Sequence, residues 1–346
     1  MSSLEQFAVD SSASRYRETL GTLGSEVGGG AGPPLPHFAE ALAHIAEGYR
    51  RIGDIPRALR LFGTSFSLWR RLGQRSRMCW CLWGLGSTLR VVGRYPESTY
   101  WLRQAFDIAR SSGERRCALW SAAEIAEVDR IVGNRRRALA AHFDLMDEFC
   151  KLGDERGVAW AYSGIAQIYR MEGEFARAAQ MFWRAEIQSV LMGDPVGVAW
   201  AHRGQSEVAK ERHDLTTAEG MAARAIQGFE SKGYPTGVAY AKKTLAEIQL
   251  ARGDLISSHA TIRSAIADFK QAGETRGYAL ALKTLGDVHR ESEEFSEALL
   301  QYRTARSLIG EMRLRLSTSF DPTASWVALR RRFEKRRFFH GGRRPG

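Results

Sequence analysis

Apolar residues along this chain recur at intervals of three and four, the spacing that places side chains on one face of an α-helix. The stretch from Gly157 to Gly193 shows the pattern twice. The apolar positions are Trp160, Ala161, Ile165, Ala166, Ile168 and Tyr169 in the first half, and Ala178, Ala179, Phe182, Ala185 and Ile187 in the second. Gly173 and Gly193 end the two halves, because glycine adopts the left-handed helix-cap conformation at little cost. The stretch predicts two helices joined by a short turn.

The same pattern returns every 40 residues. The motif that begins at Gly157, Gly-Val-Ala-Trp-Ala, recurs at Gly197 and, with changes, at Gly237 and Gly277. Two columns of turn glycines keep this interval: Gly53, Gly93, Gly133, Gly173 and Gly253, and Gly73, Gly113, Gly153, Gly193, Gly233 and Gly273. His213 and Glu293 take glycine's place in the first column. Seven units without a slip of register constitute a repeat array.

Helix-start signals follow the turns. Asp54 and Asp254 come directly after a turn glycine, where a carboxylate can accept hydrogen bonds from the free N–H groups of the next helix. Pro56 and Pro96 fall in the first turn of a predicted helix, a position that tolerates proline. Each unit is therefore predicted to be a helical hairpin.

The unit positions resemble the signature of the tetratricopeptide repeat. The matching residues are Ile165-Ala166, Tyr169, Gly173, Ala178, Phe182 and Ala185, then Ile45-Ala46, Tyr49, Gly53, Ala58 and Phe62, and later Leu285-Gly286, Ala298, Tyr302 and Ala305. The resemblance spans about Phe38 to Gly310. Departures from the signature are Asp129 and Gln249 for tyrosine and Ser98 and Ser258 for alanine. The period is 40 rather than the usual ~34 residues, which resembles the long repeats of some signalling scaffolds and peptide receptors.

This resemblance implies an all-α fold, an α-solenoid of seven helix-turn-helix units that form a right-handed superhelix. In the family the first helices line a concave groove that binds peptides. Residues 1–37 are expected to be a leader with a Gly/Pro linker, residues 38–313 the repeats, and residues 314–346 a capping helix and an Arg-rich tail. A terminal repeat needs a solvent-compatible cap, which the last helix would supply.

Charge and composition refine this prediction. The formal net charge is +11, and residues 330–346 supply +7 of it. An acidic partner for that tail is therefore possible, whereas nucleic acid is the least favoured partner because an acidic column in the groove would repel phosphate. No apolar run reaches the ~20 residues of a membrane span, and the first residues lack a secretory signal, so a cytoplasmic location is expected. Cys79, Cys81, Cys117 and Cys150 are expected to be ordinary reduced thiols.

Catalytic motifs are absent from the sequence. It contains no His-Glu-x-x-His, Gly-x-Ser-x-Gly, Cys-x-x-Cys or dinucleotide fingerprint, and no histidine pair has ligand spacing. No metal or cofactor is therefore expected. Glu124 and Glu127 share a helix face and suit an acid/base pair, although a solvated polar face is the commoner explanation. The motifs do not indicate an enzyme.

Three columns of residues on the first helices form the candidate ligand groove. The aromatic column is Trp80, Trp120, Trp160, Trp200 and Tyr240; the polar column includes Glu127, Gln167, Glu207 and Glu247; the basic column includes Arg130, Arg170 and Lys210. The first two columns are seven residues apart, two helical turns, and so share a face. Structural alternatives stay open, since the tryptophans can wedge between units and the charges can pair with one another.

Three functions are compatible with this pattern. The favoured one is a non-catalytic scaffold that holds a peptide or protein segment in the groove. The second is a small-molecule site, sensory or enzymatic, built from the same columns. The third is nucleic-acid binding through the basic tail.

Overall fold

The structure, a computed structural model, describes residues 35–311. Within this range every regular element is an α-helix, and there are fourteen of them. Their bounds are α1 Leu35–Ile52, α2 Ile55–Arg71, α3 Arg75–Val91, α4 Tyr95–Ser112, α5 Arg115–Val132, α6 Arg135–Leu152, α7 Glu155–Met171, α8 Phe175–Leu191, α9 Pro195–Glu211, α10 Leu215–Ser231, α11 Pro235–Arg252, α12 Leu255–Gln271, α13 Thr275–Glu291 and α14 Phe295–Glu311. The predicted all-α solenoid of seven helical hairpins is confirmed.

Each helix packs mainly against its neighbours in sequence, and each odd-numbered helix also contacts the next odd-numbered one. Unit four, α7 and α8, shows the core. Ile165 of α7 and Ala178 and Phe182 of α8 are buried together, as the apolar spacing predicted. Ile187 is the exception, because it is exposed on the outer side of α8. The sequence interpretation that placed it on the inner side is wrong: position 187 lies about 200° around the helix from the buried Ala185 and Ser189, and so faces away from the core.

The turn between the two helices of a unit requires a left-handed residue. Gly173 has a φ of 81°, and the other described glycines of its column are similar. His213 and Glu293, which replace glycine in this column, also have positive φ angles, 61° and 62°. Adopting that conformation costs a non-glycine residue on the order of 1 kcal/mol. The hairpin geometry is therefore kept where the preferred residue is absent.

The predicted helix caps form. The Asp54 carboxylate accepts a hydrogen bond from the Arg57 backbone N–H at 3.2 Å, and Asp254 accepts one from the Ser257 N–H at 3.0 Å. The first helix begins at Leu35, three residues inside the predicted leader. The remainder of that leader, the predicted capping helix and the Arg-rich tail lie outside the described residues. None of the helices within 35–311 has the length and apolarity needed to cross a membrane.

The two ends of the solenoid meet. Tyr95, Val128 and Ile131 of units two and three form one buried apolar cluster with residues of unit seven, Ala279, Leu282, Ala305 and Ile309. The turn at Gly53 also packs on the end of α12, so closely that a Cβ at Gly53 would lie 2.7 Å from Cα of Ala272. We call these interactions the end-to-end contact. These contacts join unit one with unit six, and units two and three with unit seven, so the solenoid turns back on itself within seven units and encloses a central space.

Candidate functional site

The odd-numbered helices surround a central cavity of about 1240 Å³. It draws lining residues from the first unit, such as Glu47, and from the last, such as Asp287. The twelve residues predicted as the ligand groove all line this cavity: Trp80, Trp120, Trp160, Trp200, Tyr240, Glu127, Gln167, Glu207, Glu247, Arg130, Arg170 and Lys210. Their common location is thus observed, while their role in binding a ligand stays a prediction.

The aromatic column lies at the boundary between the cavity and the core. Trp120 contacts the buried Phe149 ring at a centroid distance of 5.2 Å, and Trp200 contacts Phe229 at 4.9 Å. These indoles remain partly exposed to the cavity. Tyr240, next in the column, is more deeply buried. Those two ring contacts lie within a unit, whereas Trp160 contacts the His142 ring of the preceding unit's second helix at 5.2 Å, so the column combines the groove wall with the wedge between units.

Asp154 fixes one of these rings and was missed in the sequence analysis. Its carboxylate accepts hydrogen bonds from the Trp120 indole N–H at 2.9 Å and from Arg116 Nε at 2.8 Å. It also accepts from the Gly157 backbone N–H, so it is the N-cap of α7. Its place directly after the turn Gly153 was an available signal, since that position favours a capping residue.

The acidic and basic columns form ion pairs, as the structural alternative allowed. Within a unit, Arg130 donates to the Glu127 carboxylate through two nitrogens, at 2.5 and 2.8 Å. Between units, Lys210 Nζ lies 2.9 Å from Glu247. Arg90 and Glu124 pair across units as well. These bonds connect successive inner helices along the cavity wall.

Glu207 is the most heavily paired of these carboxylates. It accepts a hydrogen bond from the Gln167 amide at 3.1 Å and pairs with Arg203 at 2.6 Å and with Arg170 at 3.5 Å. Burial by itself would raise the pKa of Glu207, but Arg170 and Arg203 hold it well below its usual range. The carboxylate is therefore ionised at neutral pH.

Glu127 is ionised for the same reason. Burial opposes its charge, yet Arg130 lowers the pKa of Glu127 to about 2. A general acid or base works best with a pKa near the operating pH. Glu127 is consequently not poised for proton transfer at neutral pH, and both Glu124 and Glu127 are held in salt bridges on the cavity wall.

A second set of cations on the cavity wall was also missed. Arg203, Lys243 and Lys283 occupy one position of three successive units, and each lies four residues before an acidic partner in the same helix. The Arg203 guanidinium lies 5.3 Å above the Trp200 ring and 5.2 Å above the Tyr240 ring. The i,i+4 spacing was visible in the sequence, but earlier units hold Ala43, Trp83, Ala123 and Ser163 at this position. Because residue type changes along this position of the repeat, the sequence showed no consistent column that would mark it as part of the site.

The geometry defines a class of protein: an α-solenoid whose inner helices enclose an aromatic and ion-paired cavity. A family model described as the tetratricopeptide repeat matches residues 37–111. With the helical-hairpin fold, this match to residues 37–111 confirms the resemblance to tetratricopeptide repeats that was predicted from the sequence. A comparison with curated protein sequences gives no match.

Solved structures of similar fold include three Rap proteins. A Rap protein complexed with Competence and Sporulation Factor is 13% identical, with 80% of this chain and 75% of that chain covered and a TM-score of 0.67. The Rap conjugation gene regulator of the plasmid pLS20, in complex with the Phr* peptide, is 12% identical, with 78% and 75% covered and a TM-score of 0.65. The apo form of RapI is 12% identical, with 79% and 99% covered and a TM-score of 0.56. At these identities the similarity shows the fold alone.

Proposed function

We propose that this protein is a non-catalytic scaffold that binds an extended peptide segment of a partner protein in its central cavity. The observation that carries this proposal is the cavity itself, which gathers a column of partly exposed tryptophans and two columns of charged groups around one space. Apolar anchors beside a few polar groups are the usual composition of a recognition site.

The size of the cavity favours a peptide over a small molecule. Small-molecule sites typically occupy about 300–1,000 Å³, and this cavity is about 1240 Å³. It also extends past residues of all seven units, from Glu47 to Asp287. An extended segment would contact successive units, whereas a compact ligand would leave most of the wall unused.

The chemistry of the wall suits a peptide backbone. Cavity-lining groups include donors, such as Arg170 and Lys210, and acceptors, such as Glu207 and the Gln167 amide oxygen. A peptide backbone presents one donor and one acceptor per residue, so a wall of mixed groups can satisfy both. The wall carboxylates pair with cations, and thirteen Arg and Lys residues line the cavity against nine Asp and Glu residues, so the wall carries a moderate excess of positive charge.

The similar solved structures also support a peptide ligand. One is a Rap protein complexed with Competence and Sporulation Factor, and another is a Rap regulator in complex with the Phr* peptide. Their folds match this chain over about four-fifths of its length. A solenoid of this kind can therefore hold a peptide.

The test obstructs part of the cavity without altering the core. The purified protein is panned against a displayed library of random peptides, and the enriched peptides are measured by calorimetry. Ser163 lines the cavity at the position where unit two holds Trp83, so Ser163→Trp should fold while placing an indole in the path of an extended peptide. We expect this variant to lose at least ~100-fold in peptide affinity, the scale of a lost hot spot or more.

Gly220→Tyr is the matched control. Gly220 lies on α10 with open space around it, and unit two holds Tyr100 at the same position. This variant adds an aromatic ring to the outer surface and should bind peptide as the wild-type protein does. Failure of any peptide to bind, or equal binding by Ser163→Trp, would contradict the proposed function.

A further inference from the structure

The outward face of α8 carries four exposed apolar side chains. Trp183, Ile187, Val190 and Leu191 follow i, i+4, i+7 and i+8 spacing and so share one side of the helix. They are 57%, 37%, 58% and 75% exposed, and none of them lines the cavity. We call them the α8 apolar face. Together they expose on the order of 400 Å², a patch size that often marks an interaction site on a soluble protein.

The repeats themselves show that the fold does not require apolar residues here. At the position of Val190 the other units have Arg70, Arg110, Cys150, Glu230, Lys270 and Gly310. At the position of Leu191 they have Arg71, Ser111, Lys151, Ser231, Gln271 and Glu311. Six units of the same architecture thus place polar, charged or small residues at these two sites. The apolar pair is peculiar to unit four.

We propose that the α8 apolar face is the contact surface of a homodimer, in which α8 of one copy packs against α8 of a second copy across a two-fold axis. A two-fold interface uses the same patch on both subunits, so an exposed apolar face provides its own partner. The spacing of Trp183, Ile187 and Val190 is also the i, i+4, i+7 pattern of a seam between paired helices.

The area is consistent with a stable dimer. A standard interface buries about 800 Å² per partner, of which a polar rim forms a large part. The α8 apolar face would supply roughly half of that area as its centre. The neighbouring outer helices α6 and α10 offer the polar rim, with exposed residues such as Asp147 and Gln227.

Charge does not oppose the pairing. Both signs flank the face, with Arg184 and Glu186 on α8 and Asp147 and Lys151 on α6. A second copy therefore meets no concentrated field of its own sign. Because the face is on the opposite side of α8 from the cavity, a dimer would leave both cavities available for peptide.

The test measures mass in solution. Light scattering and sedimentation of the full chain, from about 1 to 100 μM, should give twice the 38.7 kDa of one chain at the upper concentrations. The double variant Val190→Glu, Leu191→Ser copies the residues of unit five, Glu230 and Ser231, and should therefore fold normally. We expect it to weaken the dimer on the order of 100-fold and to run as a monomer.

Ile256→Thr is the control, because Ile256 is 86% exposed on α12 and unit five holds Thr216 at that position. It should stay dimeric. Trp183→Arg, which copies Arg103 and Arg263, provides a second disrupting variant if the first fails to fold. A monomeric wild-type protein at all concentrations, or a dimer that survives in a folded variant, would overturn the proposal. Peptide binding is measured separately, so the two proposals fail independently.

Discussion

At the scale of single residues, small side chains allow large rings to cross between units. Phe182 of α8 lies directly under Gly204 of α9, and a Cβ at Gly204 would lie 2.1 Å from the ring. Alanine is otherwise the better helix residue by ~1 kcal/mol. Gly204→Ala should nevertheless destabilise the protein by about 1–3 kcal/mol, because the buried ring has no space to move. Chemical denaturation measures this change.

Gly220→Ala is the matched comparison for that prediction. Nothing lies within 4 Å of the Cβ it would add, and the position is exposed on α10. It should stabilise the protein by about 0.5–1 kcal/mol. Equal effects of the two substitutions would show that the packing of Phe182 on α9 is wrong.

His142 makes stability depend on pH. Its ring is fully buried against Trp160, both ring nitrogens lack hydrogen-bond partners, and burial lowers the pKa of His142 to about 4. The unfolded chain has an ordinary histidine pKa of about 6.5. Stability from the neutral buried ring is therefore present above pH 6.5 and is lost as pH falls toward 4, by on the order of 3 kcal/mol.

His142→Phe should remove this dependence. Units one and four hold Phe62 and Phe182 at the same position, each beneath a glycine as His142 lies beneath Gly164. Denaturation curves from pH 7.5 to 4 should show the variant gaining stability over the wild-type protein as pH falls. If the difference in free energy of unfolding between the variant and the wild-type protein stayed constant across that range, the interpretation of His142 as a buried neutral ring would be wrong. Contributions of titrating groups that do not interact with His142 cancel in the comparison, whereas Glu127 interacts with it.

At the scale of helices, ion pairs fix one inner helix to the next. Glu247 of α11 pairs with Lys243 at 2.8 Å and with Lys210 of α9 at 2.9 Å. Burial by itself would raise the pKa of Glu247, but these two cations hold it well below its usual range. Glu247→Gln would leave the buried Lys243 without its i,i+4 carboxylate and the partly buried Lys210 with Glu211 alone, at 3.5 Å. We expect a loss of about 3 kcal/mol in the free energy of unfolding.

Glu97→Gln is the control for that loss. The Arg94–Glu97 pair has the side-chain exposure of 53% and 50% typical of solvent-screened pairs. Removing it should cost less than about 1 kcal/mol. A similarly small loss for Glu247→Gln, measured by urea denaturation, would mean that the ion pairs of the cavity wall are screened by solvent and do not stabilise the packing of the inner helices.

The helices and their turns could be predicted from local sequence pattern, whereas the enclosure of the cavity could not. Apolar spacing and turn glycines specify each hairpin, and the 40-residue period placed Trp160 and Glu207 on a common wall. Asp154 was missed because its link to Trp120 joins different units. The contact of Gly53 with Ala272 depends on the small rotation between successive units, summed over the solenoid. No local sequence pattern encodes that sum.

At the scale of the whole molecule, the end-to-end contact closes the solenoid. Ala272 is buried against Gly53, whereas other units have Leu72, Leu152, Met192 or Lys232 at its position. Ala272→Met should therefore fit its own unit but separate the two ends. We expect an increased radius of gyration by small-angle scattering. Lys232→Met, at the same position of unit five, should leave the radius unchanged, and equal radii for both variants would contradict the closure.

The central claim is that a peptide lies inside the cavity, and photo-cross-linking tests it most directly. A peptide enriched by panning is made with a benzophenone side chain, irradiated on the protein and located by mass spectrometry. We predict cross-links to cavity residues of the odd-numbered helices, such as Trp160, Met171 and Trp200. Cross-links confined to the outer faces of the even-numbered helices, or to residues outside 35–311, would contradict the claim.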